Sequence, residues 1–116
     1  MKALVSSMIF ALVALSGAAQ GQVGQVASNA AAGHEKARMC IGCHGISGWR
    51  TAYPEIYSVP MIYGQHSAYI IKALHGYKSG ERSHPSMRAI AGSLSEQDMA
   101  DLAAYYGAAA PTVATK

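Results

Sequence analysis

The feature that constrains this chain most is a pentapeptide, Cys40-Ile41-Gly42-Cys43-His44. Two thiols three residues apart, followed directly by an imidazole, form the attachment pattern of a covalently bound c-type haem. Each thiol adds across a vinyl group of the porphyrin, and on a helix this spacing places both sulfurs along one turn. We therefore predict that Cys40 and Cys43 attach one haem c and that His44 is the proximal ligand of its iron.

Other chemistries of a Cys-x-x-Cys pair fit this sequence less well. A thioredoxin-like dithiol needs a βαβ setting, and the sequence has no alternating strand pattern. A structural zinc site takes four protein ligands. Because the chain has only two cysteines, two of its scattered histidines would have to complete such a site. A simple disulfide leaves the adjoining histidine unexplained, so haem attachment is the interpretation that uses all three side chains.

The first nineteen residues have the pattern of a secretory signal peptide. Lys2 supplies the positive charge, an apolar run of thirteen residues follows from Ala3 to Leu15, and small residues precede a cleavage point after Ala19. The apolar run is shorter than the about 20 residues that a transmembrane helix needs, so we expect no membrane anchor after cleavage. Export agrees with the pentapeptide, because c-type haem is attached outside the cytoplasm, and it predicts a periplasmic protein.

The 116 residues are enough for one folded domain. We predict a signal peptide at 1–19, a flexible linker at 20–28, a haem domain at 29–107 and a flexible tail at 108–116. The formal net charge of +3 is mild and does not indicate a nucleic-acid partner. Four bases in the stretch 72–88 are a candidate surface for steering an acidic partner: Lys72, Lys78, Arg82 and Arg88.

Apolar periodicity and capping residues predict three helices, at about 29–41, 65–78 and 96–107. The last begins with a capping-box sequence at 95–98. Its apolar stripe is formed by Met99, Leu102, Ala103 and Tyr106. Gly33 lies inside the first predicted helix, where a glycine costs about 1 kcal/mol relative to alanine. We therefore expect another element to approach the backbone closely at Gly33.

Two loops are predicted between these helices, at 45–60 and 79–92. The first is rich in proline, glycine and aromatic residues, and loops of this length commonly carry function or wrap around a ligand. We expect four of its side chains to cover the porphyrin: Trp49, Tyr53, Ile56 and Tyr57. The alternative is an Ω-loop that packs on itself.

The second axial ligand of the iron is a choice among methionines and histidines. Met39 adjoins the pentapeptide, and Met99 belongs to the apolar stripe of the last helix. Met61 follows His44 by seventeen residues and Met87 by forty-three, so the Met87 segment has enough chain to pass round a haem and return on its other face. This favours Met87. Three histidines remain as rivals for a bis-histidine site: His66, His75 and His84.

With these motifs in place, the chain resembles the class I c-type cytochromes, and most of all one lobe of the bacterial dihaem cytochromes c of the periplasm. The similar segments are 33–39, 40–45, 60–66, 77–82, 87–94 and 101–106. The resemblance implies an all-α fold, the small cytochrome c fold, with about three to five short helices and long loops around one covalent haem. This chain departs from the dihaem proteins in having a single attachment motif, and its loop between His44 and Gly64 is somewhat longer.

The resemblance also implies roles for individual residues. The family's distal ligand is a methionine seven residues before the leucine that precedes the last helix, a spacing matched by Met87 and Leu94. The glycine of the first helix packs against the last helix in this family, which implies a contact of Gly33 with Tyr105 or Tyr106. A proline carbonyl that accepts a hydrogen bond from His44 is either Pro54 or Pro60. Candidate partners of the porphyrin and its propionates are Trp49, Arg50, Tyr57 and Gln65.

The function implied is one-electron transfer by a carrier that is not an enzyme, with haem c and iron as its cofactor and His/Met axial ligation. Its partners would be redox proteins, such as a periplasmic dehydrogenase or reductase or a terminal oxidase. Two alternatives stay open. The chain could be the haem c subunit of a larger periplasmic oxidoreductase, or it could perform catalysis or sensing at an open iron site.

Overall fold

The computed structural model describes residues 26–53 and 55–108. The predicted signal peptide, most of the predicted linker and the tail after Ala108 lie outside these residues. The described chain holds five helices and no strand: α1 Ala30–Lys36, α2 Arg38–His44, α3 Ser67–Ser79, α4 Pro85–Gly92 and α5 Glu96–Gly107. The predicted all-α fold of three to five short helices is confirmed. None of these five helices is long and apolar enough to cross a membrane.

The first predicted helix is two helices, so the prediction of one continuous helix at 29–41 is wrong. The break falls at Ala37, whose φ of −68° and ψ of −8° have the values of a turn. Its N–H is shared between the carbonyl oxygens of Gly33 at 2.8 Å and His34 at 3.2 Å. The Ala37 side chain is fully buried in the core, and this packing holds the break. The pentapeptide therefore lies on a separate helix, α2.

The second predicted loop contains a helix, so the prediction of a loop throughout 79–92 is also wrong. α4 begins because His84 is extended and its imidazole Nδ1 accepts the N–H of Met87 at 3.2 Å. Pro85 occupies the first helical position, where a missing N–H has no cost. Histidine is not among the usual N-cap residues, which is why the sequence did not reveal this start. Gly80 ends α3 with a φ of 89°, as its predicted place after the helix requires.

The core is built around α5. Helices α1 and α3 both pack on it, and α4 packs on α3. The predicted stripe of α5 is at most 3% exposed throughout, and Ile70 and Leu74 of α3 complete it. Gly33 lies at the crossing of α1 and α5, where a Cβ would overlap the Asp101 carbonyl oxygen and lie 2.8 Å from Tyr105 Cβ. The close approach expected at Gly33 is confirmed.

A buried carboxylate ties the start of the domain to α5. Asp101 is 3% exposed, and its oxygens accept hydrogen bonds from the Asn29 N–H at 2.8 Å, Lys36 Nζ at 2.7 Å and Gln97 Nε2 at 2.8 Å. Lys36 also contacts Asp98 Oδ1 at 2.8 Å, and Asp98 completes the predicted capping box with Ser95. The Lys36 ammonium therefore lowers the pKa of both carboxyl groups.

The two lowered pKa values predict a loss of stability in acid. A carboxyl group whose pKa is lower in the folded state stabilises the fold fully above its unfolded value, about 3.9, and loses that effect as the pH falls through the folded value. We expect Asp101→Asn to lower the free energy of unfolding at pH 7 and to flatten its decline below pH 4. Glu35→Gln, which removes an exposed ion pair with Arg38, serves as the control and leaves stability nearly unchanged. Urea unfolding between pH 2 and 7 measures both, and equal profiles would contradict the role of Asp101.

Candidate haem site

A cavity of about 380 Å³ lies beside the pentapeptide. Its volume falls in the usual range for small-molecule and cofactor sites. Most of its lining side chains are apolar or aromatic and come from α2, the segment 57–62, α3, the segment 82–90 and α5. Among the described helices the backbone of α2 approaches only that of α1. The cavity therefore separates the helix that carries Cys40, Cys43 and His44 from α3 and α4.

The three chemical groups of the pentapeptide all line this cavity. His44 is held by its Nδ1, which lies 2.7 Å from the carbonyl oxygen of Pro60. A carbonyl oxygen can only accept, so Nδ1 carries the proton and Nε2 keeps its lone pair. A hydrogen bond of this kind fixes the ring of a metal-binding histidine and raises its basicity. Pro60 is thus the proline that bonds His44, while Pro54 lies outside the described residues.

The wall beside the pentapeptide carries little charge. Burial raises the pKa of the Cys40 thiol and of the Tyr106 phenol, both of which line the cavity. Both groups are therefore neutral at pH 7. The Tyr106 hydroxyl is buried and has no hydrogen-bond partner within the described part of the chain. A neutral, largely apolar wall next to two thiols fits a porphyrin that is attached through its vinyl edge.

Three of the four candidate methionines line the cavity: Met39, Met61 and Met87. Met39 precedes Cys40 on α2, and Met61 directly follows Pro60, whose carbonyl oxygen holds His44. Both thioethers therefore belong to the side of the cavity that carries the histidine. Met87 comes from α4, which packs on α3 and not on α2. Met99 is fully buried in the core, as the sequence predicted.

Of the three histidines that compete with Met87 as the second axial ligand, His84 alone lines the described cavity, as Met87 also does. Its Nδ1 accepts the Met87 N–H, and its ring packs against Tyr57 with a centroid distance of 4.3 Å. His75 instead pairs with Glu96 through Nε2 at 3.0 Å, and His66 precedes α3 without forming a side-chain cap. His84 therefore acts as the cap of the helix that carries Met87.

Removal of this cap should weaken the fold measurably. We expect His84→Ala to lower the free energy of unfolding by about 1 kcal/mol, the usual effect of losing an N-cap acceptor. His84→Asn keeps an acceptor at this position and should restore most of the loss. His66→Ala is the matched control, because His66 holds the same position on α3 but makes no cap bond. Denaturant titration of the holoprotein measures the three variants, and equal losses in His84→Ala and His66→Ala would contradict the capping role.

The structure brings only some of the predicted pocket residues to the cavity. Tyr57 and Gln65 line it, whereas Trp49 and Arg50 do not. Trp49 is 42% exposed, and Arg50 donates from Nε to Ser58 Oγ at 3.3 Å. Of the loop side chains expected to cover a porphyrin, only Tyr57 reaches the cavity.

The sequence grouped Arg82 with three other bases as a candidate surface for an acidic partner. In the structure Arg82 also lines the cavity. Of the other three bases, none lines the cavity, and Lys78 Nζ donates to the Leu94 carbonyl oxygen. No sequence signal separates Arg82 from Lys72 or Arg88, because the separation depends on how the turn after α3 folds back.

The comparison with known families gives the class to which this fold and site belong. Residues 30–106 match the cytochrome c family model, and the chain belongs to the cytochrome c family. Its cofactor is haem c, a covalently attached haem with one iron. The match covers α1 to α4, α5 as far as Tyr106, and every residue that lines the cavity.

Three relatives show how far the likeness extends. Cytochrome c4 of Pseudomonas aeruginosa is 40% identical over 80 residues, which are 69% of this chain and 38% of that protein. Cytochrome c-554(548) of Halomonas halodenitrificans is 39% identical over 83 residues, 69% of this chain and 95% of that protein. Cytochrome c-552 of Acidithiobacillus ferridurans is 32% identical over 105 residues, which are 87% of this chain and 44% of that protein. The chain thus spans less than half of the c4 and c-552 relatives but nearly all of cytochrome c-554(548).

Proposed function

We propose that the protein is a periplasmic one-electron carrier whose haem c is attached through Cys40 and Cys43 and whose iron is held by His44 and Met87. One observation carries this proposal. The His44 ring is fixed through Nδ1 by the Pro60 carbonyl oxygen, and Met87 lines the same cavity from a helix that does not approach α2. The names of the relatives, all cytochromes c, support a carrier rather than an enzyme.

Haem c supplies an iron that exists in ferric and ferrous states. The residues of this chain decide how that iron is used. His44 would present its Nε2 lone pair to the iron, because its Nδ1–H donates a hydrogen bond to the Pro60 carbonyl oxygen. The Met87 thioether would favour the ferrous state and so raise the reduction potential. The largely apolar lining of the cavity would keep water from a bound haem iron. With His44 and Met87 both bound to it, the iron would have no coordination position left for a substrate.

The periplasmic location rests on the sequence. The charged and apolar pattern of residues 1–19 directs a chain to the secretory pathway, and attachment of haem to two cysteines takes place after export. Partners of such a carrier are redox proteins, for example a dehydrogenase or reductase that donates electrons or a terminal oxidase that accepts them. Three bases of the proposed steering surface are exposed and lie outside the cavity lining: Lys72, Lys78 and Arg88.

Two measurements on the full-chain holoprotein test the proposal. We expect a low-spin ferric spectrum with a Met–iron charge-transfer band at its red edge, and a single reversible one-electron wave in a potentiometric titration. A high-spin ferric spectrum with fast binding of cyanide or carbon monoxide would contradict it and would favour catalysis or sensing at an open iron. Rates with an acidic redox partner should fall as salt rises, because exposed charges are screened.

A second candidate function, the haem subunit of a larger periplasmic oxidoreductase, is favoured by one observation. Three large apolar side chains of the loop before Pro60 are strongly exposed: Trp49 at 42%, Tyr53 at 87% and Ile56 at 72%. Side chains of this kind are common at protein interfaces. Native mass measurement of the protein purified from its own periplasm separates the two functions, since a free carrier has the mass of one chain with one haem.

A further inference from the structure

One buried side-chain polar atom has no hydrogen-bond partner within the described part of the chain, the hydroxyl of Tyr106. Tyr106 is 1% exposed, and burial of an unpaired hydroxyl costs free energy that a phenylalanine at the same place would not incur. Buried polar groups of native proteins are nearly always paired. Since Tyr106 lines the haem cavity, its partner is to be expected in the assembled haem site.

The fold holds the Tyr106 phenol in one place. Gly64 donates its N–H to the Tyr106 carbonyl oxygen at 2.8 Å. The ring packs against those of Tyr63 and Tyr105, with centroid distances of 4.8 Å and 5.0 Å. The hydroxyls of these two neighbours bond each other at 2.9 Å, and neither bonds Tyr106. The Tyr106 hydroxyl therefore cannot turn to solvent without disrupting the core, and its partner must lie on the cavity side.

Of the two pentapeptide thiols, Cys40 is the neighbour of this phenol. Cys40 packs against the core cluster that contains Tyr106, and both residues line the cavity. Burial raises the pKa of the Cys40 thiol, and the Tyr106 O–H opposes this rise as a donor to the sulfur. The pKa of the Tyr106 phenol is raised first by burial and then by Cys40. Cys43, in contrast, is exposed.

Attachment of a haem would change what the Cys40 sulfur can do. A thiol is both a weak donor and a weak acceptor, whereas a thioether has lost the S–H and can only accept. A phenol has one hydrogen to donate. Only one hydrogen bond is then possible between the two groups, in which the phenol donates and the sulfur accepts. The buried hydroxyl thus matches the attached form of Cys40.

We propose that the Tyr106 hydroxyl donates a hydrogen bond to the thioether sulfur of Cys40 in the holoprotein. Tyr106 is then a positioning residue, which fixes the edge of the porphyrin that Cys40 carries. The inference rests on the haem attachment proposed above and is independent of the distal ligand. The bond also points the positive end of the O–H dipole at the porphyrin edge, and a positive potential there favours the ferrous state.

NMR of the ferrous holoprotein tests the bond directly. We expect a slowly exchanging Tyr106 hydroxyl proton with a nuclear Overhauser effect to the thioether methine at Cys40. Tyr106→Phe should remove this proton and shift the ¹³C signal of that methine, whereas the thioether at Cys43 is an internal control and should not shift. Tyr105→Phe is the matched control, because it removes a neighbouring hydroxyl that does not line the cavity. It should leave both thioether signals unchanged.

Stability and potential give two further readouts of Tyr106→Phe. Loss of a formed hydrogen bond should raise the equilibrium constant of unfolding by about fivefold, whereas loss of an unpaired hydroxyl would leave it unchanged or lower it. The preference for the ferrous state should fall by about threefold, or roughly 30 mV at ~59 mV for each tenfold change.

Equal thioether spectra in Tyr106→Phe and Tyr105→Phe, or a gain of stability in Tyr106→Phe, would overturn the proposed bond. Two separate measurements report on the haem site itself. Haem that stays with the denatured chain shows covalent attachment, and the ferric spectrum shows the axial ligands. A wrong assignment of Met87 would therefore not be mistaken for a wrong assignment of Tyr106.

Discussion

Replacement of Met87 by alanine is expected to abolish the Met–iron charge-transfer band and to lower the reduction potential by roughly 120 mV. A one-electron couple changes its equilibrium tenfold for each ~59 mV, so this fall corresponds to a hundredfold loss of preference for the ferrous state. The physical reason is that a thioether ligand stabilises ferrous iron, and the alanine variant leaves that position to water or to an added ligand. Optical spectroscopy and potentiometry of the purified ferric protein measure both effects.

Met61→Ala is the matched control for this experiment. Met61 also lines the cavity, but it adjoins Pro60, whose carbonyl oxygen holds the proximal histidine. The variant should therefore keep the charge-transfer band and nearly all of the potential. A band that survives in Met87→Ala and disappears in Met61→Ala would show that the distal ligand has been assigned to the wrong methionine.

The second large effect is expected at Gly33. Gly33→Ala should lower the free energy of unfolding by about 3 kcal/mol, the upper part of the usual range for an added methyl group in a packed interior. Helix propensity favours alanine by only about 1 kcal/mol. The steric overlap outweighs this gain in helix propensity, because the new Cβ would overlap the Asp101 carbonyl oxygen. That oxygen belongs to the backbone of α5 and cannot move without the helix.

Gly92→Ala provides the comparison for Gly33. Gly92 is also helical and exposed, at the end of α4, and a Cβ there would have no neighbour within 4 Å. The substitution should leave stability unchanged or raise it slightly. Chemical denaturation of the two holoprotein variants, followed by far-ultraviolet circular dichroism, measures the difference. If Gly33→Ala is as stable as Gly92→Ala, the close crossing of α1 and α5 is not a determinant of the fold.

The sequence predicted the parts of the fold that depend on local chemistry. The capping box at Ser95, the apolar stripe of α5 and the left-handed Gly80 are each specified by a few neighbouring residues, and all three are confirmed. The break at Ala37 and the helix α4 were missed. The break is held by the burial of one alanine, and α4 begins at a histidine that caps it, so neither has the usual residue type as a signal.

The pentapeptide by itself determined the family and the cofactor, because the two thiols and the adjoining imidazole must lie within one helical turn to serve one porphyrin. Only the tertiary structure decided the surroundings of that motif. In the structure the Pro60 carbonyl oxygen accepts the hydrogen bond of His44 Nδ1, and His84 caps the helix that carries Met87. Arg82 is exposed and also lines the cavity. The His44 contact joins residues sixteen positions apart, and the place of Arg82 depends on how the turn after α3 folds back, so local sequence does not specify either. The cap at His84 is local, but histidine is not a usual capping residue.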